Sequence, residues 1–352
     1  MGEFEANGAG QDVTLKTSLF TPCSALLAVL VASSFLIGCG DQAPIAASTG
    51  GQPEPGRTAP LKIVATTGMV ADMVRQVVGE RGKVVSLMGA GSDPHLYKPT
   101  RNDVRKLLDA DVVVYSGLLL EHRMEETIQQ IGRSGKHVFA ITDRLDRSRL
   151  RPIPGSAGQY DPHVWMDVSI WADCASDTAE ALAAVDPGGA DDYRRRAETY
   201  RESLLQLDAY VARIIQSIPE RQRVLVTAHD AFHYFAARYG MEVRAVQGIS
   251  TESEAGVQDV NALVDFLVAR QVPAVFVETS VSEKPLQAVI EGCRSRGRTV
   301  SLGAMLYSDA MGSAATYEGS YLGMLDANAT HIARHLGGTA PEQGWQGKLV
   351  LR

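Results

Sequence analysis

The chain has 352 residues, of which 45% are hydrophobic and 21% are charged. This composition supports a packed core large enough for two domains, and it excludes wholesale disorder and a collagen-like repeat. The formal net charge is -7, and the lysines and arginines are scattered along the chain. The sequence therefore predicts no nucleic-acid partner.

The first segment of the chain has the pattern of an export signal. An apolar run covers residues 25–37, which is shorter than the roughly 20 residues that a membrane-spanning helix needs. The run ends in Leu-Ile-Gly-Cys, which resembles the lipobox of bacterial lipoproteins and ends at Cys39. We therefore interpret residues 1–38 as a lipoprotein signal peptide and Cys39 as the lipidation site.

A low-complexity stretch follows the predicted signal. Residues 39–60 are rich in Gly, Ala, Pro, Ser and Thr and cannot bury a core, so they indicate a flexible tether. A lipid on Cys39 would anchor the chain to a membrane through this tether, outside the cytoplasmic membrane, on the periplasmic side or at the cell surface. Cys174 and Cys293 are the cysteines that remain in the body, and we expect both to be unpaired and buried.

The same alternating pattern occurs in two parts of the chain. Short β-branched runs such as LKIVATT and DVVVYSG alternate with amphipathic stretches from Leu61 onward, and the same alternation returns after Pro219. Alternation of this kind is typical of βα units on a mostly parallel sheet. The sequence thus predicts an α/β fold with two lobes, residues 61–188 and residues 219–352, each with a parallel sheet.

A long helix is predicted between the two lobes, over residues 189–218. The stretch has no internal proline, and its apolar residues recur at helical spacing. These residues are Tyr193, Ala197, Tyr200, Leu204, Leu207, Val211, Ile214 and Ile218. At 1.5 Å per residue such a helix is roughly 40 Å long, and it would join the lobes rigidly and limit how far they can close.

Two histidines lie in similar turns of the first lobe. His95 follows a strand-like run in GSDPHLYKPT, and His163 lies in DPHVWMD, so each completes an Asp-Pro-His sequence before a helix. Gly and Pro punctuate these connections and can aim a side chain inward. Both histidines are therefore expected at the same edge of the first sheet.

Two further candidates follow strands of the second lobe. His229 comes directly after RVLVTA, and Asp309 follows the last predicted strand. Ligands of open α/β sheets bind in the crevice outside the carboxyl ends of the strands, and all four candidates fit that rule. Three imidazoles and one carboxylate suit Zn²⁺ or Mn²⁺. Four other histidines are expected at the surface: His122, His137, His331 and His335. His233 is considered separately below.

Six ordered motifs resemble one known family. They are PHLYKPT, SGLLLE, DPHVWMD, TAHDAFHYFAARYG, VFVETSVSEK and LYSDAMG with YEGSYLGML. The chain is similar to the TroA-like zinc and manganese solute-binding lipoproteins of ABC importers from Leu61 to about Leu336. The resemblance implies that His95, His163, His229 and Asp309 bind one metal ion between the lobes. It also implies that the ion is delivered to an ABC permease with its ATPase.

The resemblance leaves the identity of the metal open. Family members that look like dedicated zinc proteins usually carry a His-rich and acidic loop between the first two ligands, and here that stretch holds only His122 and His137. Many manganese members have Glu where this chain has His229. The chain thus resembles the branch with three His and one Asp, in which the cargo is Zn²⁺ or Mn²⁺.

Glu278 is a candidate for supporting a ligand. It ends the VFVE run and so reaches the same edge as the predicted ligands, where it could accept the N–H of a ligating imidazole. The alternative is that its carboxylate caps the next helix.

Two other functions remain open at the level of sequence. His229-Asp230-x-x-His233 has the spacing of the H-E-x-x-H helix of zinc proteases, with Asp in place of the general-base Glu, so a zinc hydrolase is one alternative. A surface adhesin is the other, because a lipid anchor would display the chain outside the cell membrane. We expect neither: no nucleophile elbow or phosphate loop is present, and the predicted protein is a monomeric binding protein, not an enzyme.

Overall fold

The computed structural model describes residues 59–156, 158–253 and 255–350. The predicted signal peptide, the lipidation site Cys39 and almost all of the predicted tether lie outside these residues. In the part of the chain that is described, no helix combines the length and the apolar character needed to cross a membrane.

The N-terminal half, before the long helix, contains a parallel sheet of four strands in the order β2-β1-β3-β4. Its strands are β1 (Leu61–Ala65), β2 (Gly82–Ser86), β3 (Val112–Tyr115) and β4 (His137–Ala140). The crossover helices are α1 (Gly68–Val78), α2 (Arg101–Asp109) and α3 (His122–Arg133). Apart from the exposed Lys62, the two central strands are largely apolar and buried, as expected for a parallel sheet covered by helices on both sides.

The C-terminal half repeats this arrangement with shorter strands. They are β5 (Val224–Thr227), β6 (Glu242–Ala245), β7 (Ala274–Val275) and β8 (Ser301–Leu302). The parallel pairs β5-β6 and β7-β8 are joined by a bridge between Thr227 and Phe276. The helices of this half are α6 (His233–Tyr239), α7 (Val257–Arg270), α8 (Lys284–Ser295) and α9 (Tyr321–His335).

The last two strands are shorter than their apolar runs predict. Gly303 N donates to Val275 O at 2.7 Å, and Leu306 N donates to Val277 O at 2.8 Å. Three steps along the later strand therefore match two steps along β7, and one extra residue interrupts the ladder in the manner of a β-bulge. The pairing resumes at the bridge between Glu278 and Leu306.

Two helices lie between the two halves along the chain. They are α4 (Val168–Val185) and the long α5 (Ala190–Gln216). Helix α5 has 27 residues and buries an apolar stripe that includes Leu204, Leu207 and Val211. The α/β class, the parallel sheets and the long helix are the fold class that the sequence predicts.

One apolar core runs through both halves of the chain. Its largest cluster of buried side chains includes residues of α1, α4, α5 and α9 together with strand residues of both sheets. The predicted division into lobes at residues 188 and 219 stays a prediction, because the packing is continuous across it. Cys174 and Cys293 are free and buried, which confirms their expected state.

Candidate metal centre

The chain brings the four predicted ligands together from four separate loops. His95 lies between β2 and α2, and His163 lies directly before the turn that leads into α4. His229 follows β5 by two residues, and Asp309 lies between β8 and α9. The set is drawn from both halves of the chain, at the carboxyl ends of the strands.

The nitrogen and oxygen atoms of this cluster converge within 4.8 Å of one another. His95 Nε2 lies 3.3 Å from His163 Nε2, and His163 Nε2 lies 3.3 Å from Asp309 Oδ1. Asp309 Oδ2 lies 3.1 Å from His229 Nε2 and 3.8 Å from His95 Nε2. Three imidazole nitrogens and the carboxylate of Asp309 thus lie close together.

These separations fit a tetrahedral metal site. Zinc bonds of about 2.0 to 2.1 Å place neighbouring ligands of a tetrahedron about 3.3 Å apart. The four separations given above, 3.1 to 3.8 Å, are close to that value, and all four ligand atoms lie within 4.8 Å of one another. The cluster could therefore hold a divalent ion with small adjustments of side chains.

Burial makes this cluster costly without a shared cation. His163 and His229 have no exposed surface, and His95 and Asp309 are each 2% exposed. Both oxygens of Asp309 and both ring nitrogens of His229 lack a hydrogen-bond partner of good geometry among the described residues. Buried polar atoms are normally satisfied, so the convergence of several unsatisfied ones is typical of a ligand site.

His163 is held by the aspartate of its own turn. Asp161 Oδ1 accepts the backbone N–H of His163 at 3.0 Å and lies 2.7 Å from Nδ1 of its ring. The second contact leaves Nε2 facing the cluster, as for metal-binding histidines whose other nitrogen meets a carboxylate. Asp161 thus both makes the turn and holds the ring.

Asp93 makes the same turn in the other Asp-Pro-His sequence, where its Oδ1 accepts the backbone N–H of His95 at 2.9 Å. The repeated Asp-Pro-His is therefore the sequence signal that identifies both supporting aspartates.

Glu278 lies against His229, in the position expected of a carboxylate that supports a ligating imidazole. Its Oε1 accepts the backbone N–H of His229 at 2.9 Å, and its Oε2 lies 2.5 Å from His229 Nδ1. Helix α8 begins only at Lys284, and the side chain that accepts the backbone N–H of Lys284 is that of Ser282, at 3.4 Å. The contacts thus favour support of His229 over capping.

The electrostatics of the cluster are strongly coupled. Burial alone would lower the pKa of His163, but Asp161 and Asp309 raise it to about 9. Asp309 and Glu278 likewise overcome burial and hold the pKa of His229 well above its usual value. Burial dominates at His95 and lowers its pKa to about 4.

Asp309 responds in the opposite direction. Burial would raise its pKa, but the imidazoles of His229 and His163 hold it well below the usual range for a carboxyl group. The carboxylate and the two imidazoles therefore favour one another's charged forms, as a carboxylate and a metal ion would.

The helix that the hydrolase alternative requires does not contain both histidines. Helix α6 begins at His233, so His229 lies in the preceding loop and the two rings do not share a helical face. His233 instead lies 3.4 Å from Asp161 Oδ2 and 3.3 Å from Asp230 Oδ1, and 31% of its side chain is exposed.

The remaining histidines lie outside the cluster. His137 and His335 are exposed, and His122 and His331 are partly buried. Of the described residues, only the four predicted side chains form a group of three or more that could hold a metal ion.

Comparison with known proteins identifies the family. Residues 63–335 match the sequence model of the ZnuA family, described as zinc-uptake complex component A, periplasmic. The chain belongs to the ZnuA family. It is 43% identical over 313 residues to the manganese-binding lipoprotein MntA of Bacillus subtilis, covering 88% of this chain and 98% of MntA.

Solved structures of the ZnuA family share the fold. The periplasmic zinc-binding protein TroA from Treponema pallidum has a TM-score of 0.76 and 40% identity, covering 79% of this chain and 99% of TroA. The Fe(III)-bound YtgA from Chlamydia trachomatis has a TM-score of 0.72 and 25% identity, covering 79% of this chain and 99% of YtgA. The named relatives are binding and transport proteins, and the predicted membership of a metal-binding family of ABC importers is confirmed.

Proposed function

We propose that the protein binds one Zn²⁺ or Mn²⁺ ion outside the cytoplasmic membrane and delivers it to an ABC permease. His95, His163, His229 and Asp309 would be the ligands, and Glu278 would orient His229. The observation that carries the proposal is the convergence of three imidazole nitrogens and one carboxylate within 4.8 Å, in a buried position.

The donor set favours zinc at equilibrium. Imidazole binds Zn²⁺ well, and the Irving–Williams order places Zn²⁺ above Mn²⁺ at a given nitrogen and oxygen site. A manganese role would therefore depend on which metal is available in the envelope. The relatives are named for manganese and for zinc, which agrees with a site that accepts either ion.

The proposal extends to anchoring and partners. A lipid on Cys39 would hold the chain at the membrane by the tether of residues 39–60, and a monomer would present its cargo to the permease and its ATPase. Relatives named as substrate-binding lipoproteins of manganese ABC transporters support this arrangement. The lobe boundaries, residues 61–188 and 219–352 with the linking helix over 189–218, belong to the same proposal.

Alanine substitution at the cluster tests the ligands. We expect the purified protein to bind one Zn²⁺ per chain, and we expect Asp309→Ala and His229→Ala to weaken binding by at least about 100-fold, because each removes a direct bond to the ion. Competition with a chromogenic chelator measures both the stoichiometry and the affinity.

His335→Ala is the matched control, since it removes an imidazole that lies exposed on α9. Its affinity should equal that of the unaltered chain. Equal affinity in Asp309→Ala would exclude the proposed site. Elemental analysis of protein purified from its native host without chelators then identifies the cargo.

A further inference from the structure

A short polar segment of the C-terminal half reaches across to the N-terminal half beside the cluster. We call residues 247–253 the clasp segment; it follows β6 and precedes α7. On its own side it is fixed next to His229: Gln247 N donates to Ala228 O at 2.9 Å, and Asp230 N donates to Gly248 O at 3.4 Å. Its first residues are thus bonded to the two neighbours of a proposed ligand.

The clasp segment also bonds to the turn that holds His95. Thr251 Oγ1 donates to Asp93 Oδ2 at 2.6 Å, and the other oxygen of Asp93 accepts the backbone N–H of His95. Thr251 is 8% exposed, and its bond to Asp93 is partly buried. One aspartate therefore connects the clasp segment to a proposed ligand of the opposite half.

Glu252 forms the outer contact of the same segment. Its Oε1 accepts hydrogen bonds from Arg123 Nε at 3.1 Å and from Arg123 Nη2 at 2.7 Å. The same oxygen lies 3.1 Å from Nε2 of His122. Two side chains at the start of α3 thus meet one carboxylate oxygen that comes from the other half of the chain.

The start of α3 is held firmly in place for this contact. Leu118 and Leu119 precede it with φ of 53° and 65°, a left-handed conformation that is costly for residues with a side chain. The buried Glu121 fixes the turn: its Oε1 accepts bonds from Ser116 N at 2.8 Å and from Thr66 Oγ1 at 2.6 Å. His122 and Arg123 follow directly, so their position is set by this anchored turn.

We propose that the clasp segment closes the mouth of the metal centre and sets the rate at which the ion leaves. This inference rests on the proposed function, because it assumes that the cluster holds an ion. Thr251 joins the His95 loop to the segment that is bonded beside His229, and Glu252 joins the same segment to the start of α3. An ion can leave the buried cluster only after these loops separate, so breaking the outer contact speeds release.

Zinc release from the full chain tests the clasp. The protein is loaded with one Zn²⁺ and mixed with an excess of chromogenic chelator, and the release rate is followed by absorbance. We expect Glu252→Gln to increase the rate about fivefold, the factor that corresponds to about 1 kcal/mol for a partly exposed charged network. Glu291→Gln, which removes an equal charge from an exposed position on α8, should leave the rate unchanged.

Salt and a second substitution separate the clasp from a general loosening of the fold. Screening weakens exposed charge pairs, so raising the salt from 50 to 500 mM (about 14 to 4 Å in Debye length) should speed release from the unaltered chain and not from Glu252→Gln. Adding Arg123→Gln to Glu252→Gln should bring no further increase, because the two residues form one contact.

The outcomes distinguish the two proposals. If the unaltered chain binds no Zn²⁺, the proposed function is wrong and the clasp with it. If it binds one ion per chain and Glu252→Gln releases that ion at the unaltered rate, the clasp alone is wrong. Faster release from Glu252→Gln with a salt-insensitive rate and unchanged stoichiometry supports both.

Discussion

His163 and His229 each meet a carboxylate on the side of the ring that faces away from the cluster. Asp161 contacts Nδ1 of His163, and Glu278 contacts Nδ1 of His229. Carboxylates in this position fix the ring and make the inner nitrogen a better ligand. In the ion-free protein the same carboxylates stabilise the imidazolium, so each ring is prepared for a positive charge in the cluster.

This pairing predicts that the protein releases protons when it binds an ion near neutral pH. Asp161 and Asp309 raise the pKa of His163 to about 9, and Asp309 and Glu278 raise the pKa of His229 as well, whereas only neutral imidazole can ligate. We expect at least one proton to be released per Zn²⁺. Titration calorimetry at pH 7.5 in buffers of different ionisation enthalpy counts them directly.

The sign of the pH effect follows from the same shifts. Because the pKa of His163 is raised, the affinity for Zn²⁺ should increase with pH until about 9 and fall as pH is lowered below that value. The pKa of a free imidazole, about 6.5, would place this fall at lower pH. An affinity that is constant between pH 7 and 9, with no proton release, would contradict protonated rings in the ion-free cluster.

At the scale of residues, the ends of strands are the feature from which the sequence predicts which side chains meet. His229 and Glu278 were placed from the strands that precede them, and the chain does bring them together. The raised pKa values could not be predicted, because they depend on carboxylates that approach from distant parts of the chain. The contact of Glu252 with Arg123 could not be predicted either, since neither residue lies in a recognisable motif.

At the scale of elements, the start of α6 decides between binding and hydrolysis. A zinc-protease helix needs both histidines on one helical face, whereas α6 begins at His233 and leaves His229 in the loop. Phe232 and Phe235 are fully buried and pack edge to face, which holds the first turn in its position. The loop geometry turns His229 toward Asp309 instead.

We therefore expect His233→Ala to retain one Zn²⁺ per chain, with affinity within about tenfold of the unaltered protein. The small loss would come from Asp161, which His233 contacts and which in turn holds His163. Chelator competition measures the change, with His229→Ala as the variant that should lose binding. Complete loss of binding in His233→Ala would restore the hydrolase alternative.

The order and type of the elements were predictable because hydrophobic period distinguishes buried strands from amphipathic helices. Helix α5 covers residues 190–216, within the predicted range of 189–218. The lengths of β7 and β8 were not predictable, since the extra residue that interrupts their ladder depends on how two distant strands align. A run of apolar residues predicts that a segment is buried, but it does not determine how the backbone of that segment pairs with another strand.

At the scale of the whole molecule, the two halves are joined by more than the long helix. Trp165 Nε1 donates to Ser308 O at 2.9 Å. Trp165 lies two residues after His163 and Ser308 directly precedes Asp309, so this bond links the loops of two proposed ligands. Tyr321 N donates to Asp72 Oδ2 at 3.2 Å, and Tyr321 stacks on Trp171. These buried links and the shared apolar core resist a wide rotation of one half against the other.

Binding of an ion should therefore stabilise the protein strongly while changing its shape little. At a free Zn²⁺ concentration about 100 times the Kd, mass action adds about 2.7 kcal/mol to the free energy of unfolding, and for a body of this size this corresponds to an increase in Tm of roughly 4 to 5 °C. Scanning calorimetry of the ion-free and loaded protein measures the shift, and Asp309→Ala, which lacks the carboxylate ligand, should show almost none.

The expected movement is a local adjustment around Asp309 and the loops of the cluster. A rotation of one half by more than about 15° would need Trp165 to leave Ser308 and the aromatic stack of Trp171 and Tyr321 to separate, and both contacts are buried. Crystal structures of the ion-free and loaded protein measure the angle. A larger rotation with these contacts broken would show that the shared core is an interface that opens, and that the long helix does not limit closure.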